Sequence, residues 1–155
     1  MANQRFRSSV TWSGEGVRSV ARMKNKEVII DEPAMMGGTD QGATPVEYLL
    51  AALGGCINVC MVSFAPMHGV ELRDVRTTID GLLDPDGFTG KNPNVRNGFS
   101  EISYSIEVDS PSPVEAVREL IQHAEHACPV KDTLKGVSLK LNKLEIKEAA
   151  AAVAE

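Results

Sequence analysis

The apolar positions along this chain follow two different periods. From Arg5 to Trp12 polar and apolar residues roughly alternate, with Phe6, Val10 and Trp12 on one side, as in a half-buried strand. The turn Ser13-Gly14-Glu15-Gly16 leads into a looser alternation over Val17–Met23, and Asn25 separates it from a third short strand at Val28-Ile29-Ile30. Together these predict an N-terminal meander. Two longer strands are predicted at Val70–Leu83 and Phe99–Asp109. The second is the cleanest: Ile102, Tyr104, Ile106 and Val108 alternate with Glu101, Ser103, Ser105, Glu107 and Asp109. A last strand is expected over Val137–Ile146, with a bulge near Asn142, followed by an alanine-rich tail, Ala149–Glu155, that frays.

The helical period appears twice. Thr44 caps a helix with Pro45 at its first position, where the missing N–H costs nothing. This helix runs to about Phe64 and is apolar almost all round, so burial on most sides is expected. Gly54 and Gly55 lie inside it at a cost of roughly 1 kcal/mol each relative to alanine, which close approach of another element would offset. Ser112-Pro113-x-Glu115 has the form of a capping box. It opens a second helix with Val117, Leu120, Ile121 and Ala124 on one face, reaching Cys128. Between the two long strands, Asp84–Gly98 is rich in Pro, Gly and Asn and reads as a surface excursion.

The order is β-β-β-α-β-β-α-β without an alternating βαβ run. That predicts an α+β fold, an antiparallel sheet packed on one or two helices, as one domain over residues 1–155. A helix apolar on every face needs more cover than one sheet supplies. A second copy of the chain is the simplest source, so a homodimer is expected.

Composition narrows the function classes. Hydrophobic content of 43% and charged content of 24% are those of a soluble globular protein. A net charge of −5 with scattered Lys and Arg argues against a nucleic-acid surface. The longest apolar stretch contains Gly54, Gly55 and Asn58 and stops near Pro66, which argues against a membrane span. The N-terminus, Met1-Ala2-Asn3-Gln4-Arg5, lacks the apolar core of a signal peptide, so the expected compartment is the cytoplasm.

Three cysteines remain, Cys56, Cys60 and Cys128, with no CxxC among them. Cys56-x3-Cys60 with the separate His68, His123 and His126 makes a poor zinc set, so neither metal nor cofactor is expected. Cys56 lies inside the apolar helix, either as a small core residue or as a reactive thiol. Cys128 stands before Pro129 at the end of the second helix, where the Cys-Pro turn can present the sulfur to a cleft. Spacing alone does not bring the two within the roughly 6 Å Cα separation a disulfide requires. A buried thiolate needs a fixed positive charge beside it. Arg18 is the candidate, its alternative being an exposed strand arginine. Glu47 can orient such a guanidinium, or simply be a first-turn acid stabilised by the helix dipole. His123 and His126, near Cys128, are either proton carriers or plain surface residues. The methionines at 35, 36, 61 and 67 either line an apolar pocket or fill core.

Pro45-x-Glu47-x-Leu49-Leu50-Ala51-Ala52-Leu53-Gly54-Gly55-Cys56, taken with Cys128-Pro129-Val130-x-Asp132-Thr133-Leu134, resembles the OsmC/Ohr family of osmotically inducible and organic hydroperoxide resistance proteins. The resemblance spans most of the chain. It implies an intertwined homodimer, with sheet wrapped around a central cysteine-bearing helix and active sites at the subunit interface. It also implies thiol peroxidase activity on hydroperoxide substrates, regenerated by a dithiol reductant such as a lipoylated protein. By position, Cys56 is then the peroxidatic thiolate, Cys128 the resolving thiol, and Arg18 the arginine that stabilises the thiolate. The glutamate departs from the pattern. Val46 holds the place after the helix-starting proline, and Glu47 points about 100° away around the helix. The Asp84–Gly98 excursion resembles a less characterised OsmC-like branch. Two functions stay open: a peroxidase, or a non-catalytic dimeric redox sensor or apolar-ligand-binding module.

Overall fold

Glycine and polar turns fold the first thirty residues back on themselves. Ser9–Trp12 (β1), Ser19–Met23 (β2) and Lys26–Ile30 (β3) form an antiparallel meander in the computed structural model, which describes residues 3–135. Gly14 and Gly16, at φ 87° and 51°, give the first turn its left-handed bends. β1 begins at Ser9 rather than Arg5, because the residues before it have no ladder partner in β2. The meander is thin. Every residue of β1 is exposed, and Trp12 keeps 63% of its surface in solvent.

A polar knot joins this sheet to the central helix. Asp31, only 1% exposed, accepts from the backbone N–H groups of Glu32, Thr39 and Gln41 and from the Thr39 hydroxyl. These bonds hold its carboxyl down at about 2, the Thr39 hydroxyl contributing most and burial opposing. Ile30 then bridges to Ala43, and the Tyr48 hydroxyl donates to the Ile29 carbonyl at 2.7 Å.

The long helix α1, Pro45–Phe64, starts as expected. The Thr44 side chain accepts from the Glu47 N–H, and the Glu47 carboxylate takes the Thr44 N–H in return. Its inner face buries Leu53, Gly54, Ile57, Cys60 and Met61. That face lies on a two-stranded antiparallel sheet, Asp74–Leu82 (β4) and Glu101–Asp109 (β5), with Val75 opposite Val108 and Ile79 opposite Tyr104. β5 alternates exposed and part-buried residues at every step, as its sequence predicts. At Gly54 a Cβ would stand 3.2 Å from the Ile79 side chain, so the glycine permits the helix–sheet approach.

Gly55 differs, since a Cβ there would meet only open space. Burial of α1 on most sides is not achieved within one chain. A stripe of Ala52, Gly55, Val59 and Val62 faces outward, with Val59 65% and Val62 61% exposed. The segment Pro45–His68, which continues α1 through a 3-10 turn, has a mean hydropathy of 1.8 and is long and apolar enough to cross a bilayer. Gly54, Gly55 and Asn58 therefore do not disqualify it by composition. Packing of its inner face on protein buries 33% of that apolar stretch.

The excursion after β4 contains one unexpected helical turn, Pro85–Phe88 (α2), capped by Asp84. The next helix, Val114–Ala127 (α3), covers α1 with Leu120 and Ala124. The capping box read at Ser112 is not formed. Pro113 is the cap residue and offers no side chain, while the Ser112 hydroxyl accepts from the Glu71 N–H across the chain. A short helix, Pro129–Thr133 (α4), comes directly after Cys128. The strand predicted at Val137–Ile146 and the tail at Ala149–Glu155 lie outside the described residues.

Candidate thiol site

Leu49, Leu53, Cys56 and Cys60 recur at spacings of four, three and four, which puts them on one face of α1. Leu53 and Cys60 join Ile57, Met61, Ala124 and Cys128 in a single buried cluster, and Cys56 packs against it. Cys128 sits where α3 ends, its backbone extended at φ −68°, ψ 109°. That extended residue, forced by Pro129, redirects the chain and turns the sulfur inward, to 0% exposure. Cys56 is half-buried, and all three thiols are free.

Chain folding thus unites two cysteines 72 positions apart (128 − 56). Cys56 packs against the buried cluster that holds Cys128, near enough for the two thiols to affect each other's ionisation. Burial pushes the Cys128 thiol up, and the bond to Cys56 and the charge of an ionised Cys56 add to this. The backbone N–H groups of Lys131 and Val130 act in the opposite sense, the first from 3.4 Å. Cys60 is also pushed up, by burial and then by the charge on Cys128, while its contact with Cys56 works the other way. The three sulfurs are one electrostatic group.

A groove of about 520 Å³ runs beside this cluster, with Val46, Leu49 and Leu53 of α1 on one wall and Phe99, Ile102 and Tyr104 on the other. Arg96, Lys131 and Lys135 also line it. Its character is apolar with these basic side chains and the Glu101 carboxylate among the lining, which suits a molecule carrying hydrocarbon.

The other two residues singled out from sequence lie elsewhere. Arg18 donates to Gln41 Oε1 at 2.9 Å and to the Ser13 hydroxyl, and pairs with Glu15 at 2.7 Å. Among the described residues neither Glu47 nor a cysteine is its partner. Glu47 serves the α1 cap, and the backbone and hydroxyl bonds from Thr44 pull its carboxyl below the ordinary range. It borders a separate cleft with Asn58 and Thr77, whereas its neighbour Val46 faces the groove. That division matches the turn of the helix between adjacent positions.

Two polar groupings escaped the sequence. His123 does not serve Cys128: it stacks on Phe64 at 4.3 Å and meets His68 at 3.0 Å. Lys131 joins Glu125 and Tyr104 across three elements. Glu125 and Lys131 stand six residues apart around a proline, so no helical spacing rule connects them.

Comparison with known proteins gives the context. Residues 38–142 match the family model described as OsmC-like protein. A hydroperoxide reductase of Mycoplasma pneumoniae is 29% identical over 106 residues, 67% of this chain and 71% of that protein. The crystal structure of an OsmC-like protein from the same organism superposes with a TM-score of 0.74 at 20% identity, covering 88% of this chain and 91% of that one. An organic hydroperoxide resistance protein OsmC from Legionella pneumophila gives a TM-score of 0.61 at 15% identity, covering 88% and 93%. These structures share the α+β architecture of antiparallel sheet and long central helix.

Proposed function

Because the chain belongs to the OsmC-like family, we propose that it is a cysteine-based thiol peroxidase that reduces organic hydroperoxides. One observation carries the reading: Cys56 packs against the buried cluster that contains Cys128, beside an apolar groove. The name of its Mycoplasma pneumoniae relative, a hydroperoxide reductase, supports the substrate class.

The cycle is one of thiol chemistry. The Cys56 thiolate attacks the terminal oxygen of ROOH, the O–O bond breaks, and the leaving alkoxide takes a proton to become ROH. Cys56 is left as a sulfenic acid. The Cys128 thiolate then attacks the Cys56 sulfur and expels hydroxide, which takes up the proton Cys128 released and leaves as water, closing a Cys56–Cys128 disulfide. A dithiol such as a lipoylated protein reduces this bridge, giving back two thiols and an oxidised dithiol. The cytoplasm, which keeps such thiols reduced, is the compartment this cycle fits.

A homodimer completes the site. The outer stripe of α1 and the N-terminal sheet leave apolar side chains uncovered, among them Trp12, Val59 and Val62. A second copy of the chain covers them, and the sheet that carries Arg18 then reaches a thiol of the other subunit. Arg18 is the charge that favours the Cys56 thiolate, and Glu47 acts through the helix cap that sets the position of Val46 in the groove.

Stopped-flow mixing of reduced protein with cumene hydroperoxide tests this. Rapid loss of one thiol pair per chain is expected, abolished by Cys56→Ser and arrested at the sulfenic acid by Cys128→Ser. A reaction no faster than that of free cysteine would discard the peroxidase and leave a redox sensor or apolar-ligand module in its place.

A further inference from the structure

The polar grouping that sequence reading missed surrounds the junction on which Cys128 sits. Lys131 Nζ donates to Glu125 Oε1 at 2.9 Å and to the Tyr104 hydroxyl at 2.5 Å, and lies 5.1 Å from the centre of the Tyr104 ring. The Tyr104 hydroxyl donates to the same carboxylate oxygen. Glu125 belongs to α3, Lys131 to α4 and Tyr104 to β5. The ion pair therefore spans the Cys128–Pro129 turn, three residues to either side of the cysteine. Its side chains are only 29% and 28% exposed, so water screens it less than a surface pair.

α4 needs such an anchor. At five residues it is too short to persist through its own hydrogen bonds. Val130 gives it an apolar hold on the core, and Lys131 gives it a polar one. The first turn of α4 matters because Cys128 is its cap, the sulfur accepting the Lys131 backbone N–H.

We propose that Lys131 is the positioning residue of the resolving thiol: its side chain, held by Glu125 and Tyr104, fixes the turn whose N–H aims and stabilises the Cys128 sulfur towards Cys56. The role rests on the thiol cycle proposed above, but it requires only that Cys128 closes a disulfide with Cys56. Of the ionisable groups on the elements around Cys128, those in the cluster or the clamp are Cys56 and Cys60 of α1, Tyr104 of β5, Glu125 of α3 and Lys131 of α4, while His126 of α3 and Asp132 of α4 are exposed. His123 of α3 turns away to His68. Partial burial works against the Lys131 charge, yet its bonds to Tyr104 and Glu125 outweigh this and move its pKa up. Glu125 moves down, chiefly through the Tyr104 hydroxyl. Each partner of the ion pair thus holds its charge more firmly than the free side chain would.

The test uses glutathione and needs no peroxide. In a Cys60→Ser background, the Cys56 thiolate attacks oxidised glutathione, giving a mixed disulfide and one glutathione thiolate. The Cys128 thiolate then attacks the Cys56 sulfur, closing the bridge and releasing the second glutathione. Acid quenching and mass spectrometry separate the two steps, and Cys128→Ser marks the first. Lys131→Met should close the bridge about tenfold more slowly, with its pH–rate profile displaced to higher pH. Lys131→Arg should restore both, and Arg118→Met, on the exposed side of α3, should change neither. Should Lys131→Met not fold, Glu125→Gln serves, with a smaller slowing and the same displacement. Bridge closure in folded Lys131→Met or Glu125→Gln with the parent's rate and pH profile would overturn the proposal, as would failure of Cys128 to close the bridge in the parent. Loss of peroxide turnover with glutathione closure intact and Lys131-dependent would reject the peroxidase reading alone.

Discussion

The N-terminal sheet and the helical half of this protein are held together by opposite means. Behind α1, the chain buries Ile57, Met61 and Cys128 in one apolar cluster and Leu120 in a second, with Phe64 packed against both. Ahead of it, three strands and the residues leading into them expose side chains as large as Phe6 and Trp12 and are fastened by a buried carboxylate and a hydrogen-bonded arginine. The first half stabilises itself, and there the thiols sit. The second buries little beyond Ala21, and there Arg18 sits. Within one chain the arginine is occupied by Ser13, Gln41 and Glu15 rather than by a thiol, and the proposed dimer is what would bring the two together.

The contrast can be broken from the core side first. Ile57→Ala should lower unfolding stability by about 2–5 kcal/mol in urea titrations, because it opens a cavity where no neighbour is free to collapse. Trp12→Ala should cost far less at high dilution. At micromolar concentration and above, its effect should grow as the second copy covers the sheet, which sedimentation and urea titration at several protein concentrations will read. A Trp12→Ala penalty independent of concentration would show that the sheet is stabilised within its own chain.

Next in size is the arginine. Arg18→Ala should slow the Cys56 reaction with hydroperoxide at neutral pH about tenfold and displace its pH–rate profile upward, since removing a cation favours the protonated thiol. An unmoved profile would remove Arg18 from the site. At the junction of the two halves, Thr44→Ala should cost about 1 kcal/mol through the lost helix cap, measurable by thermal unfolding.

The smallest effect is one of pH. Asp31 titrates at about 2 in the folded chain against 3.8 for the free side chain. Its contribution is therefore complete above 3.8 and is lost as pH falls from there through about 2. Stability measured between pH 5 and 2 should fall less steeply in Asp31→Asn than in the parent. Equal slopes would mean that the carboxylate does not fasten the loop.

Much of the fold was legible from residue order, for identifiable reasons. α1 and β5 carry long, unmixed periods, and each formed within a residue or two of its expected ends. Two motifs singled out Cys56 and Cys128, and the turn at Pro129 puts Cys128 in the cluster against which Cys56 packs. Short elements were not, because α2 and α4 are single turns set by a cap and a proline rather than by a period. Ser112 misled because a competing bond to Glu71 won its hydroxyl. The Tyr104–Glu125–Lys131 clamp was hidden for a different reason. It joins a strand, a helix end and a helix start, and only tertiary packing makes neighbours of them. Glu47 obeyed the local rule, capping the helix as a first-turn acid.

The central claim is tested most directly by exposing the reduced protein to one equivalent of cumene hydroperoxide and mapping its peptides by mass spectrometry under non-reducing conditions. The account predicts loss of two hydrogens per chain and a single cross-linked pair, the peptide of Cys56 joined to that of Cys128. Recovery of both peptides unlinked, with Cys56 unoxidised or carried on to the sulfinic acid, would contradict it.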